Sequence, residues 1–151
     1  MNDISLGGVL TGSRPNAEGS LNLLGQPEET IRSVERATRL NLGDPNVGHW
    51  IAFIGMSELH RGRYSEAVRW LARSHNAGTA SATGLQHTYL VSALGLAGRS
   101  ADARSALAEF RKAKPHVTIT SLKKNARSSD PNFLAQQYPF YEGFRRAGLP
   151  E

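Results

Sequence analysis

The sequence predicts an all-α fold, an α-α superhelix of stacked helical hairpins with about two and a half repeats and a C-terminal capping helix. Three observations carry that expectation. Apolar residues recur at helical spacing through successive segments of the 151-residue chain. Short Gly-containing turns separate neighbouring segments. These turns also recur in register. Gly62-Arg63-Tyr64-Ser65-Glu66-Ala67 aligns with Gly98-Arg99-Ser100-Ala101-Asp102-Ala103, 36 residues on, and with Gly25-Gln26-Pro27-Glu28-Glu29-Thr30, 37 residues before. A turn glycine, a first-turn acid and a small residue at near-constant spacing mark stacked hairpins, because the glycine permits the reversal and the small residue permits close approach.

Taken in order, residues 1–18 mix Gly, Ser, Asn and Pro without either period and are expected to be disordered, leaving 19–151 as the repeat domain. Leu21-Asn22-Leu23-Leu24 reads as the remnant of a helix. Pro27 with Glu28 and Glu29 opens the next helix, which should run to about Asn41. Ile31, Val34, Thr38 and Leu42 are assigned to its inner side, and Glu28–Arg32 and Glu35–Arg39 form i,i+4 pairs. Gly43-Asp44-Pro45 stops it. The central hairpin follows, with Trp50, Ile51, Ile54 and Leu59 on its first helix and Ala67, Val68, Trp70 and Leu71 on its second.

Residues 75–79 form a linker to the second hairpin. Its first helix, Gly84 to Ala97, carries Leu85, Tyr89, Leu90, Ala93 and Leu94 at helical spacing. Ser100 is the expected N-cap of a helix reaching Ala113, which buries Ala103, Ala106, Leu107 and Phe110. A weaker helix over 117–126 turns Ile119 and Leu122 inward. Ser129-Asp130-Pro131 opens a last helix over 131–147, with Gly148 as its stop and Pro139 expected to kink or split it. Its aromatics, Phe133, Tyr138, Phe140, Tyr141 and Phe144, with Leu134, are too many to be exposed. Some should cap the open end of the stack, and any excess would form a partner patch.

The repeat-packing positions Gly62, Tyr64, Ala67, Leu71, Leu90, Gly98, Ala103 and Leu107, with Pro115 closing the second hairpin, resemble the tetratricopeptide-repeat (TPR-like) family, whose period is about 34 residues. Val91, Ser74 and Phe110 depart from the small residues of that pattern. The pieces Asp44–Trp50, Gly62–Leu71 and Glu142–Glu151 are in turn similar to the C-terminal repeat region of bacterial class III adenylate/guanylate cyclases, over roughly residues 20–151. In that family the cyclase domain lies upstream and holds the metal-binding aspartates. Nothing here corresponds to it. The resemblance therefore implies a regulatory or interaction segment without cyclase activity.

Composition narrows the function classes. With no cysteine the chain has no disulfide framework and no thiolate metal site, and a reducing cytoplasm is the default location. No apolar run approaches the roughly 20 residues that span a bilayer. The net charge of +5 makes anionic partners conceivable and is also ordinary for solubility. No Gly-x-Ser-x-Gly elbow or phosphate-cradling glycine motif occurs, so no catalytic constellation or cofactor is expected.

In stacked hairpins of this kind the first helix of each pair lines the concave surface. His49, Ala52, Met56 and His60 share one face there, and the repeat offset carries them to Leu85, Thr88, Ser92 and Leu96. This face is the candidate groove; the alternative is that it packs against the terminal helix. His49 and His60 stand about 16 Å apart along a helix, too far to share a metal. The run Arg111, Lys112, Lys114, Lys123, Lys124 and Arg127, without an intervening acid, is a candidate anion patch; the plainer reading is a solvated face. The expected function is protein–protein interaction with a protein or peptide partner, with homodimerisation through the N-terminal end. Nucleic-acid binding by residues 111–127 is the alternative.

Overall fold

The computed structural model describes residues 25–41, 43–44, 47–76, 84–126 and 128–151. The expectations for 1–18, 21–24, Leu42, 77–79 and Arg127 lie outside the described residues. Among those described there are seven helices and no strand: α1 (Pro27–Leu40), α2 (Val47–His60), α3 (Tyr64–Ser74), α4 (Leu85–Leu96), α5 (Ser100–Ala113), α6 (Ile119–Lys124) and α7 (Pro131–Ala147). None is long and apolar enough to cross a membrane. Sequential helices α1 to α5 pack on their neighbours, and α7 returns across α4 to reach α5, α2 and α6.

The recurring turns share one geometry. Gly25, Gly62 and Gly98 have φ of 71°, 81° and 76°, and each stands two residues ahead of a helix start. At Gly62 its own N–H donates to Leu59 O (3.0 Å) and Arg63 N–H to Glu58 O (2.8 Å). At Gly98 the equivalent bonds run to Gly95 O (3.3 Å) and, from Arg99, to Leu94 O (3.0 Å). This pair of bonds satisfies the last carbonyls of the preceding helix and needs a left-handed residue at the turn. The fifth, ninth and twelfth residues after each glycine are buried: Thr30, Val34 and Ala37, then Ala67, Leu71 and Ser74, then Ala103, Leu107 and Phe110. Leu90 is buried as well, and Tyr64 is half-buried against the core.

That register corrects the inner face of α1. Thr30, Ser33, Val34 and Ala37 are buried there, whereas Ile31 and Thr38 are only half-buried. The Thr30 hydroxyl tolerates burial because it donates to Gln26 O at 3.1 Å. The ion pairs differ too. Arg32 pairs with Glu29, and Glu28 instead lies 3.4 Å from Arg61, which also meets the buried Glu58 carboxylate at 3.1 Å.

α2 is buried almost all round, from Trp50 to Leu59, because α1, α3, α4 and α7 all contact it. A helix apolar on every side is what such a central position requires. Gly55 brings α3 close: a Cβ there would fall 2.5 Å from Leu71 Cγ. Ser100 is the first residue of α5 rather than its cap, and Arg99 holds the cap position without a side-chain bond. α6 is shorter than expected. It is started by a reciprocal cap, in which Ser121 N–H donates to Thr118 Oγ1 (3.1 Å) and Thr118 N–H to Ser121 Oγ (2.9 Å).

α7 starts where Asp130 Oδ1 accepts from the N–H groups of Asn132 (2.9 Å) and Phe133 (3.2 Å), and ends at Gly148 with φ of 106°. Of the two outcomes expected at Pro139, a kink or a split, the split does not occur. Tertiary hydrogen bonds hold the helix on both sides of the proline: Gln136 Nε2 to Gly25 O (3.1 Å), and Ser92 Oγ to Phe140 O (2.7 Å). Phe133, Phe140, Tyr141 and Phe144 join the buried interior, while Leu134 and Tyr138 remain exposed.

Candidate functional site

The face offered as an open groove is covered. Ala52, Met56 and Ser92 are fully buried, and His49, His60 and Thr88 are half-buried. α7 lies over the α4 half of this face and its His60 end. There Gln137 Nε2 donates to His60 Nε2 (2.9 Å) and to Tyr89 Oη (3.0 Å), and Phe133 meets the His60 ring edge-on at 5.7 Å. The covering is energetically required, because the face is neutral to apolar and α7 is rich in aromatics. Enclosure pushes the His60 imidazole down to about 4, since burial penalises its charged form. His49 sits 3.5 Å from Gln86 and edge-on to Phe53. Thr88 Oγ1 donates to Gly84 O at 3.0 Å.

The basic run lies at the C-terminal ends of α5 and α6, where cations complement the helix dipoles. Arg111, Lys112, Lys114, Lys123 and Lys124 are all exposed. Lys112 pairs with Glu109 at 2.7 Å, and Lys114 and Lys123 sit over the rings of Phe110 and Tyr141, 5.5 and 5.7 Å from their centres. Three of the five are thus already used within the chain.

A different site emerges on the other side of α2. α1 and α3 both lean on α2. Between them opens a cleft of about 440 Å³ lined by Glu35, Thr38 and Arg39 of α1, Val47, Ile51 and Ile54 of α2, and Trp70 and Arg73 of α3. Its floor is aliphatic and indole, and its charges stand at the rim. The Arg73 guanidinium lies 5.6 Å over the Trp70 ring, which fixes a cation beside an aromatic wall. Neighbouring arginines are already paired, Arg32 with Glu29 and Arg69 with Glu66. Arg39 and Arg73 have no carboxylate partner among the described residues. The Thr38 hydroxyl is engaged by Val34 O at 2.8 Å, so the cleft offers apolar contact and the rim charges of Arg39, Arg73 and Glu35 rather than a nucleophile. This volume and lining are those of a ligand cleft.

Ile51 and Ile54 are buried, as the sequence led us to expect, but Trp70, assigned with them, is only half-buried, and the cleft opens beside it. A signal was present: Trp70 falls eight residues after its turn glycine, where the other two repeats carry Ser33 and Ala106. A side chain that much larger than its repeat mates overfills a packing position and is free to form a wall. Comparison with known proteins adds no name to the site, for no family model, curated protein or solved structure matches this chain.

Proposed function

We propose that the chain is a non-catalytic protein–protein interaction module of tetratricopeptide-repeat type, a regulatory segment akin to those of class III cyclases. Its partner docks in the α1–α3 cleft through an acidic segment bearing one bulky apolar side chain. The repeated left-handed turns and the matching buried positions at Thr30, Ala67 and Ala103 support the repeat reading. The observation that carries the partner reading is the cleft itself, an apolar floor at Ile51, Ile54 and Trp70 beneath two arginines without carboxylate partners among the described residues. Apolar burial would supply the affinity, and Arg39 and Arg73 would select an anionic flank.

The test uses a fluorescent peptide with a central Leu or Phe flanked by Asp and Glu, read by anisotropy. Binding should weaken at least about tenfold, or 1.4 kcal/mol, in Trp70→Ala and in Arg39→Glu/Arg73→Glu. The paired Arg69→Glu should change little. A Lys-flanked peptide that binds as tightly as the acidic one, or acidic-peptide binding indifferent to both cleft variants, would sink the reading.

A further inference from the structure

His75, just beyond α3, and His87, early in α4, are separated in sequence by the 77–83 stretch, yet their ring centres lie 5.4 Å apart at 43°. His87 is enclosed, only 5 % exposed. Its Nε2 lies 2.8 Å from Ala106 O. A carbonyl can only accept, so Nε2 carries the proton, and Nδ1 of the neutral ring holds a lone pair. That Nδ1 is buried without a hydrogen-bond partner among the described residues, and so is Nδ1 of His75. Two enclosed, unpartnered ring nitrogens on adjacent imidazoles are costly unless a further group meets them.

The surroundings favour a cation as that group. A backbone carbonyl on the far nitrogen is the support that a metal-ligating histidine characteristically has, because it fixes the tautomer and raises ligand basicity. Phe110 braces the same ring, stacked at 6.4 Å and 25°. With metal–nitrogen bonds of about 2.0 Å, ring centres 5.4 Å apart fall within the span that one ion can bridge. No third His, Cys, Asp or Glu joins them among the described residues.

We propose that His75 and His87 form a two-imidazole site for a borderline divalent cation of the Zn²⁺ type, bound through both Nδ1 atoms with water completing the coordination. Such an ion ties the end of α3 to α4 across residues 77–83, with α5 as the second layer through Ala106. It stabilises the fold by mass action, since it binds the folded chain in preference to the unfolded one.

Calorimetric titration of the intact chain with Zn²⁺ tests this, with ring-nitrogen NMR shifts as the structural readout. One site per chain is expected, with the His75 and His87 Nδ1 resonances moving on addition. Affinity should fall at least about tenfold in His75→Ala and in His87→Gln. It should be unchanged in His116→Ala, an exposed histidine. Should His87→Gln fail to fold, His75→Ala carries the comparison, because no hydrogen bond of its ring is lost. Full-strength binding in His75→Ala, Zn²⁺ uptake that leaves both Nδ1 resonances in place, or no uptake by the wild-type chain would each overturn the proposal. None of these outcomes touches the cleft peptide assay.

Discussion

Gly143→Ala should destabilise the protein by about 3 kcal/mol, lowering the thermal midpoint by roughly 6–12 °C in calorimetry. Gly143 of α7 lies where that helix crosses α4. A Cβ there would fall 2.3 Å from both the carbonyl oxygen and the hydroxyl of Ser92, and 2.8 Å from the Ser92 carbonyl carbon. The partner glycine is equally tight, since a Cβ on Gly95 would fall 2.1 Å from Gly143 O. Two of the three contacts at Gly143 are with backbone atoms, so no rotamer change relieves them, and the helices must separate. Separation loosens the Ser92–Phe140 hydrogen bond and the buried rings of Tyr89, Phe140 and Phe144.

The sign of that result is diagnostic. Alanine inside a helix ordinarily gains about 1 kcal/mol over glycine, so a stabilised Gly143→Ala would mean the crossing is looser than described. Gly62→Ala is the contrasting case, where nothing lies within 4 Å of an added Cβ and only the φ of 81° objects. It should cost about 1–2 kcal/mol.

The elements that sequence placed well are those fixed by local chemistry. The offset between Gly62 and Gly98 located both turns and the buried Ala67 and Ala103, because a left-handed turn and a close approach each restrict residue type at one position. Asp130 and Gly148 located both ends of α7 for the same reason. Errors arose where one segment's environment is set by another. The second face of α2 was left as a groove or a packed surface, because its sequence cannot say that four helices contact it. Pro139 was read as a kink or a split, and the bonds that hold α7 in one piece on either side come from Gly25 and Ser92, distant in sequence. The groove residues share a face as expected, but sequence left open whether that face was open or covered. The cleft that replaces it needs α1 and α3 set side by side on α2, which no local pattern encodes.

Covering the His60 face has a consequence in acid. His60 titrates at about 4 in the fold against an ordinary value of 6.5. Above pH 6.5 the ring is neutral in both states and the stability it permits is fully present. Between 6.5 and 4 the unfolded chain takes up a proton that the folded chain refuses, so stability falls by about 1.4 kcal/mol per pH unit. The loss should reach about 3 kcal/mol near pH 4, a sizeable part of the 5–15 kcal/mol of a typical domain. In the interval from 6.5 to 5 the lowered carboxylates of Glu109 and Glu151 stay charged, and comparison with His60→Asn isolates the His60 contribution. There the expected loss is about 2 kcal/mol. Urea unfolding at pH 6.5 and 5.0 reads it directly, and His60→Asn should flatten the difference. An equal drop in His60→Asn would place the acid sensitivity elsewhere. The mechanism is specific to α7. Gln137 Nε2 donates to His60 Nε2, so that nitrogen must offer its lone pair. Once protonated it presents a second donor to the first, and the bond that seats α7 on the end of α2 becomes a repulsion. Acid should therefore release α7 before the α1–α2–α3 layer, and hydrogen exchange at pH 5 should show protection lost first in Phe133–Phe140.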